Sequence, residues 1–285
     1  MVTATAMLLA LTLVAGCSDE DIERTIGKQT SAAIESSYHV VDDPLLADYI
    51  NTMGHILVGH SRRQDIPYDF KVLETDIVNA AAVPWGYVYL TTGLLEFVES
   101  EDELWAITGH EIGHQVGHDS VKAVKESILL SLATVIIGRE TALGGDIAEL
   151  GFDILQLKHS REAEYEADDH GTEVMFAAGY DPVAQTRFFD RLKSEFEKRR
   201  PSRLETLFLT HPPSDARIRR QFDKPELALD SVDSLTQIGA GYARRARYAE
   251  AIAKLSAAAE ADPSAVQARL LLAKCHMARG EREDA

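Results

Sequence analysis

The sequence predicts a mainly α-helical chain with a small β-sheet, an α+β domain followed by an all-α segment. Three observations point there. Apolar residues recur at helical spacing through most of the chain. Two short stretches, Tyr68–Leu73 and Tyr87–Leu90, read as strands. From about Leu227 the composition turns alanine-rich, which marks a domain boundary.

The N-terminal stretch Ala6–Ala15 is apolar, and it is too short to span a bilayer. It fits the hydrophobic region of an export signal, although no Lys or Arg precedes it. It ends in Val14-Ala15-Gly16-Cys17, which resembles a bacterial lipobox. That resemblance implies a signal over 1–16, lipidation of Cys17, and a tether over 17–40 that is polar or forms an early helix. Ser18 after the cysteine resembles the sorting rule for the outer membrane, so the expected location is the periplasm, with a lipid anchor.

Leu45, Leu46, Tyr49, Ile50, Met53, Ile56 and Leu57 predict an amphipathic helix between Pro44 and His60. Asn79–Gly86 reads as a turn feeding the strand Tyr87–Leu90, with Pro84 and Gly86 at the bend. Helices are expected over Thr92–Val98 and Glu101–Gly117. The apolar run Ile128–Ile137 reads as core inside a helix. Ser160–Ala178 reads as a helix closed by Gly179, with Pro182 soon after. Thr210-His211-Pro212-Pro213 forms a rigid loop before a short basic helix.

In the C-terminal part, Leu235, Ile238, Gly239, Tyr242, Ala251, Leu255, Ala258 and Pro263 fall on the preferred positions of a tetratricopeptide repeat. Small residues let its two helices approach closely. Shifted by one period, Leu272, Ala273 and Ala285 fit again, so the given sequence stops mid-repeat. The expected division is a globular domain over 41–225 and a repeat segment over 226–285.

A net charge of −17 argues against non-specific binding to nucleic acid or an anionic bilayer. Two cysteines are too few for a disulfide framework.

The chemistry lies in His110-Glu111-Ile112-Gly113-His114. Two histidines four apart project from one helix face and can reach one Zn²⁺. Glu111 stands beside the metal, placed to take a proton from water and pass it to a leaving amine. A third ligand is needed. His118 lies a turn too far, and Ser120 occupies the position where the metzincin pattern requires histidine. Downstream, Glu164 and Asp168 share a helix face. One of them can bind metal while the other orients a ligand histidine through its free N–H. Spacing favours Glu164 as ligand without deciding it.

These motifs, with Ser160-Arg161 before Glu164, resemble the HtpX and CAAX-prenyl-protease superfamily of zinc metallopeptidases. The resemblance covers roughly residues 40 to 220 and implies a zincin-type fold. It also implies Glu164 as third ligand, four positions before Asp168. Asn79–Gly86 is similar to the family stretch before its edge strand, with Trp85 where glycine is usual. The export signal and repeat tail resemble the BepA type of periplasmic protease. That implies cleavage of unfolded or misassembled envelope proteins, with outer-membrane assembly components as partners through the repeat. It further implies that His211 either holds the enzyme latent or stabilises the oxyanion. A peptide is expected to pair alongside Tyr87, Val88 and Tyr89. The alternative expectation is an assembly factor in which the repeat binds clients and proteolysis is secondary.

Overall fold

A computed structural model of the chain describes residues 18–119, 121–122, 158–199, 201–222 and 230–281. Cys17, the leader before it, Ser120 and the run Ile128–Ile137 lie outside the described residues. Among the described residues no helix is long and apolar enough to cross a membrane.

Helix α1 (Asp19–Ser37) starts where Ser18 Oγ accepts the Asp21 N–H. It is no free tether. Its inner face is Glu23, Gly27, Thr30, Ser31 and Ile34, all buried. Glu23 is paired with Arg63, whose Nη2 lies 2.7 Å from Oε2. Most of that face is small or polar, so apolar periodicity does not reveal it. Helix α2 (Pro44–Val58) follows a side-chain cap from Asp43, with Pro44 at its first position.

The sheet comprises β1 (Asp69–Leu73), β2 (Ala80–Val83) and β3 (Tyr87–Thr91) in the order β1-β3-β2. β1 runs parallel to β3 and β2 antiparallel to it. Two sequence expectations need correction. Residues 80–83 are a strand rather than part of a turn; alanines carry little strand propensity, so the pattern was silent. β3 is therefore central and flanked on both sides, and Tyr87, Val88 and Tyr89 cannot pair with an added peptide. Val88 is fully buried, and the Tyr89 hydroxyl donates to Glu35 Oε1 at 2.7 Å. The outer strand packed on the histidine helix is β2.

The β2–β3 turn places Trp85 at φ 70 and Gly86 at φ 87. A left-handed tryptophan costs about 1–2 kcal/mol. Burial of the indole, with the Arg24 guanidinium 5.7 Å from its ring centre, offsets that strain.

After the short α3 (Thr92–Phe97) comes α4 (Glu101–Gly117), capped by Ser100 and buried continuously from Asp102 to Gln115. Acids in its first turn suit the helix dipole. Helix α5 (Arg161–Ala178) is capped by Ser160 and closed by Gly179 at φ 82. The remaining elements are α6 (Val183–Arg199), α7 (Ser202–Thr210) and α8 (Asp215–Phe222), then α9 (Val232–Arg244), α10 (Tyr248–Ala261) and α11 (Val266–Arg279).

α9 to α11 enclose their own core of Ile238, Tyr242, Ala251, Leu255, Ala258, Ala268 and Cys275. They also dock on the rest of the chain. Asp102, 1% exposed, accepts from the Tyr242 hydroxyl at 3.0 Å and from Arg247 Nη1 at 2.8 Å. Lys254 Nζ lies 2.8 Å from Asp181 Oδ2.

The decisive packing is α4 against α5. A Cβ on Gly113 would lie 2.7 Å from Ala167 Cα, and one on Gly171 would lie 2.9 Å from the His110 nitrogen. The two backbones touch. Gly113→Ala is expected to destabilise the protein by about 1–3 kcal/mol through overpacking and to lower its metal content. Thermal melting and metal analysis of the variant check this.

Candidate metal centre

His110 and His114 project from α4 with their Nε2 atoms 3.1 Å apart. Glu164, in the first turn of α5, turns its carboxylate edge to both: Oε2 is 3.6 Å from His110 Nε2 and Oε1 is 3.5 Å from His114 Nε2. His211 ends α7, where its N–H bonds Leu207 O. Its Nδ1 lies 3.2 Å from His110 Nε2 and 3.0 Å from Glu164 Oε1. All four side chains are buried.

Zinc bonds of about 2.0–2.2 Å imply tetrahedral edges of about 3.3–3.6 Å between ligand atoms. The measured separations cluster around that range, so these residues fit a tetrahedral divalent cation by both spacing and donor type.

An outer ring holds these side chains. His110 Nδ1 is 2.9 Å from Asp168 Oδ1, and His114 Nδ1 is 2.9 Å from Asp119 Oδ2. Each contact orients its ring so that Nε2 faces the centre. Arg217, 3% exposed, grips Asp168 through Nε and Nη2 at 2.7 Å each and reaches Glu164 Oε2 with Nη1 at 2.6 Å. Gln185 Nε2 donates to Asp168 Oδ1 at 2.8 Å. Glu111 is buried, and its Oε1 has no hydrogen-bond partner among the described residues. The nearest ring nitrogen to that oxygen is His211 Nε2, at 3.6 Å.

Burial pushes the His110 pKa down. At His114 burial acts in the same sense, but hydrogen bonds donated to Asp119 and Glu164 outweigh it and raise the value to about 10. Burial opposes ionisation of Asp168 too, yet Arg217 holds it down at about 2. Glu164 is held well below its ordinary value against burial by His211 and Arg217. Without metal, then, proton and cation compete for the same imidazole and carboxylate atoms.

The structure brings His110, Glu111, His114, Glu164, Asp168 and His211 together and leaves Tyr87, Val88 and Tyr89 in the sheet. Three nearby groups escaped the sequence reading. Asp119 sits past a left-handed helix end, where His118 adopts φ 53 and turns away to Glu23. Arg217 lies six residues after His211 on the basic helix, a spacing that signals nothing by itself. His159 stacks on His114 with ring centres 3.9 Å apart. Burial, then His114 and His211, push its pKa to about 2.

The model of peptidase family M48 matches residues 44–221, and a tetratricopeptide repeat model matches residues 242–285. The beta-barrel assembly-enhancing protease of Yersinia pestis is 31% identical over 234 residues, covering 75% of this chain and 47% of that protein. The protein of the same name in Escherichia coli is 30% identical over 210 residues, covering 69% of this chain and 42% of its own length. The mitochondrial metalloendopeptidase OMA1 of Schizosaccharomyces pombe is 26% identical over 208 residues, 70% of this chain and 60% of the relative. This chain spans less than half the length of the two bacterial relatives.

Asp168, with its pKa depressed from 3.8 to about 2, contributes stability that is present above about pH 4 and lost as pH falls through about 2. That amounts to about 2 kcal/mol. Arg217→Met strands buried carboxylates and should cost about 3–5 kcal/mol near neutrality, a penalty that shrinks as Asp168 protonates. Urea denaturation of the metal-free protein and the variant at pH 7 and pH 3 measures both.

Proposed function

The chain belongs to peptidase family M48, and from that premise we propose that it is a zinc-dependent endopeptidase held latent by His211. The carrying observation is the set of separations among His110 Nε2, His114 Nε2 and Glu164, with His211 Nδ1 at the fourth corner. In this reading His110, His114 and Glu164 hold the ion, and Asp168 and Asp119 fix the two imidazoles.

Zinc bound there supplies Lewis acidity, lowering the pKa of water toward about 7 and polarising a peptide carbonyl. Glu111, whose Oε1 has no partner among the described residues, accepts the proton of the attacking water and passes it to the departing amine. Arg217 keeps Glu164 and Asp168 ionised and aligned. His211 stands between Glu111 and Glu164, 3.6 Å from one and 3.0 Å from the other. It therefore fills the space that water and substrate need. Displacement of the loop Thr210–Pro213 opens the site.

Substrate is taken as extended chain, beside a sheet that Gln115 of the histidine helix fastens by donating to Val83 O at 2.5 Å. Backbone pairing favours unfolded segments with weak sequence preference. Residues 41–225 serve as the peptidase domain, with α1 packed onto it, and residues 226–285 as a repeat segment for protein partners. The bacterial relatives are named as proteases that enhance β-barrel assembly, which supports a reading with misassembled envelope proteins as substrates and outer-membrane assembly components as partners. In this reading residues 1–16 act as an export signal and Cys17 is acylated, so that the protein works in the periplasm, at the outer membrane.

Glu111→Gln is expected to keep stoichiometric zinc and to lose casein cleavage; surviving cleavage would remove Glu111 as the base. Glu164→Ala should lose the metal itself, read by metal analysis. His211→Ala should raise basal hydrolysis several-fold, because a larger fraction of molecules is then competent; a fall would instead make the ring an oxyanion donor.

A further inference from the structure

His159 stands beside the centre and has no part in the mechanism above. It immediately precedes Ser160, the cap of α5, so its backbone is fixed about one turn from Glu164. Its ring lies on His114 with centres 3.9 Å apart and planes 20° apart, and its centre is 5.8 Å from that of His211. It is partly exposed, whereas the three other histidines of the centre are buried. One of its ring nitrogens comes within 4.8 Å of an Asp119 oxygen, but Asp119 bonds His114 instead. Neither His159 nitrogen has a hydrogen-bond partner among the described residues.

A donor that stabilises negative charge on a carbonyl oxygen must be rigid, close to the fourth corner and uncommitted. The other donors at the centre are committed. His110 and His114 face it with Nε2 and use Nδ1 on Asp168 and Asp119. The guanidinium nitrogens of Arg217 are spent on Asp168, Glu164 and Pro212 O. His211 occupies the corner itself. His159 is a neighbouring imidazole that carries no such commitment among the described residues.

Resting on the metallopeptidase reading, we propose that His159 is a further catalytic residue, whose ring N–H donates to the scissile carbonyl oxygen as charge builds on it. Stacking on His114 fixes the plane of the ring. The ring of His211, which now fills the corner, is centred 5.8 Å from that of His159, a gap that closes when substrate takes its place.

Steady-state kinetics on unfolded casein with the full, zinc-loaded chain test this, with metal content measured in parallel. His159→Phe keeps the stacking and deletes the donor. It should lower kcat about 100-fold, with KM within about twofold and zinc unchanged. His159→Gln, which restores an N–H, should recover much of that loss. A wild-type kcat in the phenylalanine variant, equal losses in both variants, or loss of zinc from either overturns the donor role. Failure of the underlying reading shows separately, as casein cleavage that survives Glu111→Gln.

Discussion

The contact between α4 and α5 sets everything else at the centre. Glycines at 109, 113 and 171, with Ala167, let the two backbones meet without side chains between them. That closeness puts the carboxylate of one helix within 3.6 Å of imidazoles on the other. A larger residue at the crossing would leave His110, Glu111 and His114 intact and still separate the donors. The kind of donor is written in the reactive residues; the distance between donors is written in the small ones at the crossing.

The second constraint is electrostatic. Glu111, Glu164, Asp168 and Asp119 are buried around the same few ångströms, a crowding of like charge that a dry interior does not tolerate unbalanced. Arg217 supplies the fixed positive charge from a helix that is remote in sequence, and the imidazoles share what protons remain. A divalent cation held by this cluster would complete the balance, coupling stability and loading through one set of atoms.

How much of this was legible follows from the range of each interaction. The histidine helix, the acidic helix with its Ser160 cap and Gly179 stop, and the repeat helices announce themselves because local spacing and end signals specify them. The pairing of Glu164 with the histidines needed a family resemblance, since spacing alone left Asp168 as a rival. Asp119 depended on a left-handed turn at His118, and Arg217 on a loop whose path no periodicity encodes. The second strand was hidden by its alanines, and with it the central place of β3. The inward face of α1 was hidden by Glu23, Thr30 and Ser31, which read as solvent-facing until Arg63 is seen to meet Glu23.

The junction between α9 and the helices of the centre carries one more consequence. Asp102 opens the histidine helix inside the protein, and Tyr242 and Arg247 from the repeat side neutralise it. Gly241 rests on Gly179, the stop of the acidic helix, so closely that a Cβ there would sit 1.9 Å from the Gly179 oxygen. The change in composition near Leu227 is therefore a border in sequence but not in energy. Severing the chain there would maroon an ionised carboxylate at the root of the helix that bears both imidazoles.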